Sequence, residues 1–471
     1  MKGGLQVAVG QLGQQLLLLA RNIFTARLLP EQQFGIALTL MTVLTALDAL
    51  TDLGIEVFIV RSRASNNKDM QKTLHTMMLV RGFVMALGLY LIAEPVARLF
   101  GVPQSSETYK WLAVVPLIRS FMHLDFRRFE RDFRFGPGIL VTFFSFLANA
   151  VVSVWVAWQT ANPIAIVIGS MVQMLVLVIG SHVVAERRYG LTYNKSYASE
   201  MMQYGTPLIL NGVLLFSLAQ GDRVIIGSVL GVRELENYGV VSILTSGIAI
   251  LVMRVTAAIY LPLLSEYEVG SPVYLKRYEA CGAITAILAL LTVVPLSFLG
   301  FQFTQIAFGQ TYAPTPLLVA LLGTQVALKI MRSWPQRALL ANAQTSQLFY
   351  SNLIAATGLI SAYFAARSFH NIELVAACLV ISELIAALHS VYVVAKNPGL
   401  VWIGMKYTAI LIAISFALIA MHYLQLTPSG NWYALIDAVV LSLVLTAVVL
   451  AVSPSLGEFA RQSLKKARLI G

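Results

Sequence analysis

Charge is what this sequence has least of. Only 12% of its 471 residues are Asp, Glu, Lys or Arg, against about 25% in a soluble domain. With 58% apolar residues and a mean hydropathy of +0.76, a soluble globular chain is excluded. Cysteine is nearly absent too. Cys281 and Cys378 both lie inside apolar segments, form no CxxC, and read as small packing residues. The six histidines are scattered and give no metal-ligand spacing. There is no GxxxxGK phosphate loop, no HExxH and no GxSxG, so no ATPase or hydrolase motif and no cofactor is expected. No polar stretch between apolar segments exceeds about 15 residues, which argues against a glycosyltransferase or polymerase with a catalytic outer loop. No cleavable signal peptide is expected.

What the chain does have is long apolar segments. A bilayer core of roughly 30 Å needs about 20 apolar residues in a helix. Periodicity and loop punctuation predict fourteen such helices, over 4–27, 35–60, 73–98, 109–126, 136–158, 162–185, 200–221, 237–265, 275–299, 314–333, 337–366, 371–395, 402–424 and 431–453. The expected fold is an all-α polytopic membrane protein. The net charge of +11 sits in the short loops, as a topology signal does, and nucleic acid is not an expected partner. Twenty-two Lys and Arg follow even-numbered helices and six follow odd-numbered ones, which places both termini in the cytoplasm. Trp111, Trp155, Trp158 and Trp432 fall at predicted outer ends, and Trp334 and Trp402 at inner ends, as aromatic belts require.

The chain also repeats itself. LLPEQQFGIA at Leu28–Ala37 resembles VLGVRELENYGVVS at Val229–Ser242, with Gly35 matching Gly239. LFG ending at Gly101 resembles AFG ending at Gly309, and FRRFERD at Arg128 resembles PQRALLA at Arg337. The nearly constant offset predicts two six-helix halves. Six is even, so both insert the same way up, as parallel repeats. The expected division is a first lobe at 1–188, a linker at 189–199, a second lobe at 200–396, and an appended helix pair with a basic tail at 397–471.

The run ARLLPEQQFG followed by LTDLGIEVFIVR resembles the opening of bacterial polysaccharide exporters of the Wzx (O-antigen flippase) type, in the multidrug/oligosaccharidyl-lipid/polysaccharide (MOP) superfamily. So do QYGTPLILNG, GDRVIIGSVLG and YGVVS in the stretch 203–266, and IAFGQTYAPTPLLVALL further on. The match spans roughly residues 1–396. It implies two lobes around a central cavity and alternating access that flips a lipid-linked oligosaccharide outward across the inner membrane. It implies no particular sugar. Membrane lipids, and a polysaccharide polymerase or ligase, are the further partners to expect, around a monomeric flippase. The alternative inside the superfamily is a drug/cation antiporter, which would place carboxylates rather than arginines in the cavity.

A polyprenyl pyrophosphate head needs cations, and arginine's planar fork suits it. Arg21, Arg81, Arg119 and Arg254 lie within predicted helices. Gln11, Gln14, Arg21 and Thr25 form a polar stripe on the first helix. The stripe is either a substrate-facing cavity wall or interhelical hydrogen-bonding glue. Related lipid II flippases carry cavity-lining arginines on the first and eighth helices, and Arg21 and Arg254 match these by helix and depth. Arg254 could instead pair with Glu383 at similar depth. Asp48, Asp52 and Glu56 make an acidic stripe on the second helix. Asp52, Arg81 and Arg119 lie at equal depth, so an ion-paired inner latch is expected. Coupling of H+ or Na+ to these carboxylates stays open, because desolvated carboxylates titrate near neutral pH. Pro207, with Gly205 and Gly212, is expected to weaken the start of the seventh helix, and Pro116 and Pro262 the fourth and eighth.

Overall fold

The computed structural model describes residues 2–51, 53–62, 67–132, 134–394, 398–426 and 432–453. Within them the chain is helical from end to end. The helices are α1 (Lys2–Leu28), α2 (Glu31–Thr51), α3 (Ile55–Arg61), α4 (Lys68–Leu99), α5 (Ser106–Trp111), α6 (Val114–Arg119), α7 (Asp125–Arg131), α8 (Gly136–Thr160), α9 (Ile164–Val183), α10 (Lys195–Ile225), α11 (Val232–Ser265), α12 (Pro272–Phe308), α13 (Pro316–Ala341), α14 (Thr345–Phe369), α15 (Ile372–Val394), α16 (Pro398–Tyr423) and α17 (Trp432–Ala451). The chain divides into two compact units, Met1–Gly239 and Val240–Gly471.

Among the described residues eleven helices, α4 and α8–α17, are long and apolar enough to cross a membrane. The other three expected segments have local features of their own. α1 has the length but carries Gln6, Gln11, Gln14, Gln15, Arg21 and Asn22. The second expected segment breaks at Gly54, whose φ of 66° is left-handed, into α2 and α3. The fourth, expected over 109–126, is the three short pieces α5, α6 and α7, with Pro116 inside α6.

In the first unit α1 packs on α8, α8 on α9, α6 on α9, α4 on α6, and α2 on α10. In the second, α14 packs on α15, α13 on α15 and α12 on α13. The pairs α8/α9, α6/α9 and α4/α6 thus have counterparts one repeat later. The loop glycines agree: Gly101 and Gly309 end α4 and α12 with φ of 68° and 118°, a region that L side chains avoid.

Pro207 does not break α10, which runs unbroken to Ile225; the irregularity comes after it, as a π-turn at Ile226–Leu230. Gly205 and Gly212 are contact points rather than hinges. A Cβ on either would strike backbone of α2 or its end, at Leu53 O and Ala49 O. Small residues are what let membrane helices approach this closely. Gly212→Val is expected to cost about 1–3 kcal/mol by forcing α10 off α2, read as a lower denaturation midpoint in detergent. Pro262 likewise leaves α11 continuous to Ser265.

Two residues of the second unit have notable partners. Trp334 does not lie on the surface of its unit. It is fully buried in α13, packed on Tyr278 at 4.3 Å and on Tyr407 at 6.1 Å between ring centroids. Lys406 lies in α16 and pairs with Glu279 of α12 at 2.7 Å, joining the two helices.

Candidate functional site

Three polar constellations occupy the interior of the helical units. The first is built around Arg21 of α1, which is only 8% exposed. Its Nε and Nη2 donate to Asn22 Oδ1 at 3.2 and 2.8 Å, and its Nη1 donates to Asn149 Oδ1 of α8 at 3.1 Å. Asn149 in turn donates to Gln173 Oε1 of α9 at 2.6 Å and accepts from Ser153. Every oxygen around the guanidinium is a neutral amide, and among the described residues no carboxylate pairs with it. The interhelical bonding that the polar stripe allowed is therefore present. Thr25, fully buried, donates back to Arg21 O within its own helix, Gln14 is half-buried and Gln11 is exposed.

The second constellation is an ion-paired network that includes Arg81 and Arg119, two residues of the expected latch. Arg119 of α6 donates to Asp48 of α2 at 2.8 Å and to Glu56 of α3 at 3.0 Å. Arg81 of α4 approaches Asp48 at 3.9 Å. Arg127 of α7 bridges Glu56 at 2.8 Å and Glu130 at 2.6 Å. Asp52 lies outside the described residues. Glu56 stands on the acidic stripe, but neither it nor Arg127 belongs to the latch that equal depth predicts. Among the described residues three arginines meet three carboxylates. The network's neighbours in the loops are paired as well: Arg128 pairs with Asp125 at 2.7 Å and with Glu186 at 3.1 Å, and Arg134 with Glu186 at 2.8 Å. The FRRFERDFRF segment is thus knitted into the unit.

The third constellation corrects a pairing. Glu383 of α15 is bound to Arg332 of α13 at 2.5 Å, not to Arg254. Arg332 also donates to Asn352 Oδ1 of α14 at 2.9 Å, and Glu383 is 3% exposed. Arg254 lies exposed on α11. One further buried carboxyl stands outside these three sets: Glu236, at the start of α11, is 2% exposed and its Oε2 has no hydrogen-bond partner. Among the described residues no cluster of His, Cys, Asp and Glu could hold a metal ion.

Over residues 24–316, more than half its length, the chain matches a family described as polysaccharide biosynthesis protein. The chain belongs to this family. No curated protein sequence matches it. Among solved structures, lipid II flippase MurJ in an inward closed conformation is similar with a TM-score of 0.65 at 13% identity, over 97% of this chain and 99% of that one. The eukaryotic MATE transporter AtDTX14 is similar at 0.58 and 13% identity, over 87% and 97%. A MOP superfamily transporter from Pyrococcus furiosus is similar at 0.51 and 14% identity, over 86% and 94%. At these identities the likeness shows the fold. This polysaccharide biosynthesis protein has the fold of those flippase and transporter structures.

Proposed function

We propose that this membrane protein flips a polyprenyl-pyrophosphate-linked oligosaccharide unit across the bacterial inner membrane by alternating access, for assembly of a cell-surface polysaccharide. In this reading 1–188 and 200–396 are the two lobes joined by 189–199, 397–471 is the appended part, and both termini are cytoplasmic. The observation that carries it is Arg21, a buried guanidinium held by two amide oxygens and the Met41 thioether, with no carboxylate among the described residues. A buried charge without a counter-charge is costly, and a pyrophosphate supplies the missing anion through the same planar fork. Gln14 and Gln11 extend that wall towards the sugars, and Arg254 is the second cation. Asp48, Glu56, Arg81, Arg119 and Arg127 form the inner latch. Their mutual pairing supports gating rather than ion binding.

A second reading, a drug/cation antiporter, is favoured by Glu236, whose unpartnered carboxyl oxygen suits a proton or a small cation. Transport assays in proteoliposomes separate the two. The flippase reading expects translocation of a fluorescent polyprenyl-pyrophosphate oligosaccharide, undiminished in Glu236→Gln. Cation-for-proton exchange that Glu236→Gln abolishes, without lipid movement, would replace it.

A further inference from the structure

Half of the chain's six histidines meet in one place, at the end of the first unit that carries its basic loops. His75 of α4 and His123, in the turn before α7, have ring centroids 4.9 Å apart, and His182 near the end of α9 lies 5.2 Å from His123. Tyr189, in the connector between α9 and α10, stacks on His75 at 4.4 Å and 24° and lies 5.8 and 5.1 Å from the other two rings. His75 and His123 are each 1% exposed.

The hydrogen bonds assign the protons. Nε2 of His75 accepts from the Leu124 N–H at 3.1 Å, so its proton is on Nδ1, which donates to Gly190 O at 3.2 Å. Nδ1 of His123 accepts from the Asp125 N–H at 3.1 Å, so its proton is on Nε2, which is buried and has no partner. Both rings are therefore needed neutral. An imidazolium has no lone pair to accept with. A proton added to His75 faces the Leu124 N–H, and one added to His123 faces the Asp125 N–H. Either replaces a hydrogen bond with two opposed donors.

What these bonds hold is the connector. Beyond Gly190, the connector's Thr192 exchanges hydrogen bonds with Thr76 at 2.7 and 3.1 Å, and the Asn194 N–H reaches Thr73 at 3.3 Å. Asp125 Oδ2 accepts from the Glu186 and Arg187 N–H groups at 2.8 and 3.2 Å, and Arg187 donates to Gln71 at 3.1 Å. Asp125 also opens α7, whose Arg127 closes on Glu56 in the latch.

We propose that His75 and His123 are an acid-sensitive clasp: protonation of either releases the 184–194 connector and the start of α7, and loosens the Arg127–Glu56 arm of the latch. Facing His123 are Asp125 and the Arg187 backbone, which favour its protonation, and His182, which opposes it; Arg128 and Glu186 face Asp125, and Tyr189 is a neutral phenol. Burial lowers His123 below its ordinary value, against the pull of Asp125. A group held neutral in the docked state binds more protons once released. Docking is thus fully stable above the ordinary histidine value of about 6.5 and is lost progressively as pH falls below it.

Hydrogen–deuterium exchange of the full-length protein in detergent, corrected for the intrinsic pH dependence of exchange, tests the clasp. In the wild type, protection of 184–194 and of 121–128 is expected to fall about ten-fold or more between pH of about 7.5 and about 5.5. His75→Gln/His123→Asn keeps an acceptor at each site but cannot titrate, and is expected to show no such fall. His422→Asn, remote on α16 and bonded to Ser297 O, is expected to behave as wild type. A flat wild-type profile overturns the proposal whether or not the double variant folds. So does an unchanged pH response in a folded double variant.

Discussion

Glu383→Ala is expected to destabilise the protein by about 3–5 kcal/mol, the cost of removing one partner of a buried ion pair. The substitution strands Arg332, 10% exposed in its side chain, between α13, α14 and α15 with only Asn352 and Ser351 to bond. The destabilisation belongs to the stranded charge and not to the net worth of the pair. Arg332→Leu/Glu383→Leu is therefore expected to cost clearly less than Glu383→Ala, since both charges leave together. Denaturant unfolding in detergent of the two single leucine variants and the double closes the cycle. Strictly additive effects would show that Arg332 and Glu383 do not depend on each other.

Arg21→Ala is expected to reduce translocation of the lipid-linked oligosaccharide by a hundred-fold or so. That corresponds to about 3 kcal/mol for removing a charge-assisted, bidentate hydrogen-bonding partner of the pyrophosphate from a desolvated site. Arg21→Lys keeps the charge without the planar fork and is expected to fall between the two. Asn149→Asp is the sharper test. It leaves Arg21 and its hydrogen bond in place but puts a carboxylate where Asn149 Oδ1 now stands, 3.1 Å from Nη1. The internal ion pair then supplies the counter-charge meant for the substrate, so transport falls, while Gln173 has to turn its amide to donate where it now accepts from Asn149.

The helices and their repeat are legible because both rest on patterns that any bilayer imposes: apolar length, glycines at helix ends, and charge confined to loops. The breaks in the second and fourth segments are not, since a left-handed glycine at Gly54 and a short-helix run around Pro116 leave the apolar pattern almost intact. The tenth expected segment ends at 333, with Arg332 at its edge. α13 instead continues to Ala341, as backbone at membrane depth must stay hydrogen-bonded. The same shift hides Trp334 in the core and gives Glu383 a different partner from the expected Arg254. Depth along the helices groups Arg81 and Arg119 with Asp52, which lies outside the described residues, whereas the described ion pairs join the two arginines to Asp48, one turn earlier. Depth alone does not choose between carboxylates one turn apart, and Arg119 also takes Glu56. The histidine clasp has no local signature, because its three rings come from elements far apart in sequence and converge only in the fold.

Whether an anionic lipid head uses the charge of Arg21 decides the flippase reading. The most direct measurement is translocation of a fluorescent polyprenyl-pyrophosphate oligosaccharide in proteoliposomes, comparing wild type, Arg21→Ala and Asn149→Asp at matched folded protein. Robust flipping by the wild type and near-complete failure of both variants are expected, with the charge-neutralising Asn149→Asp failing to transport although it keeps Arg21. Flipping by both variants at the wild-type rate would contradict that role and return Arg21 to a purely structural one between α1, α8 and α9.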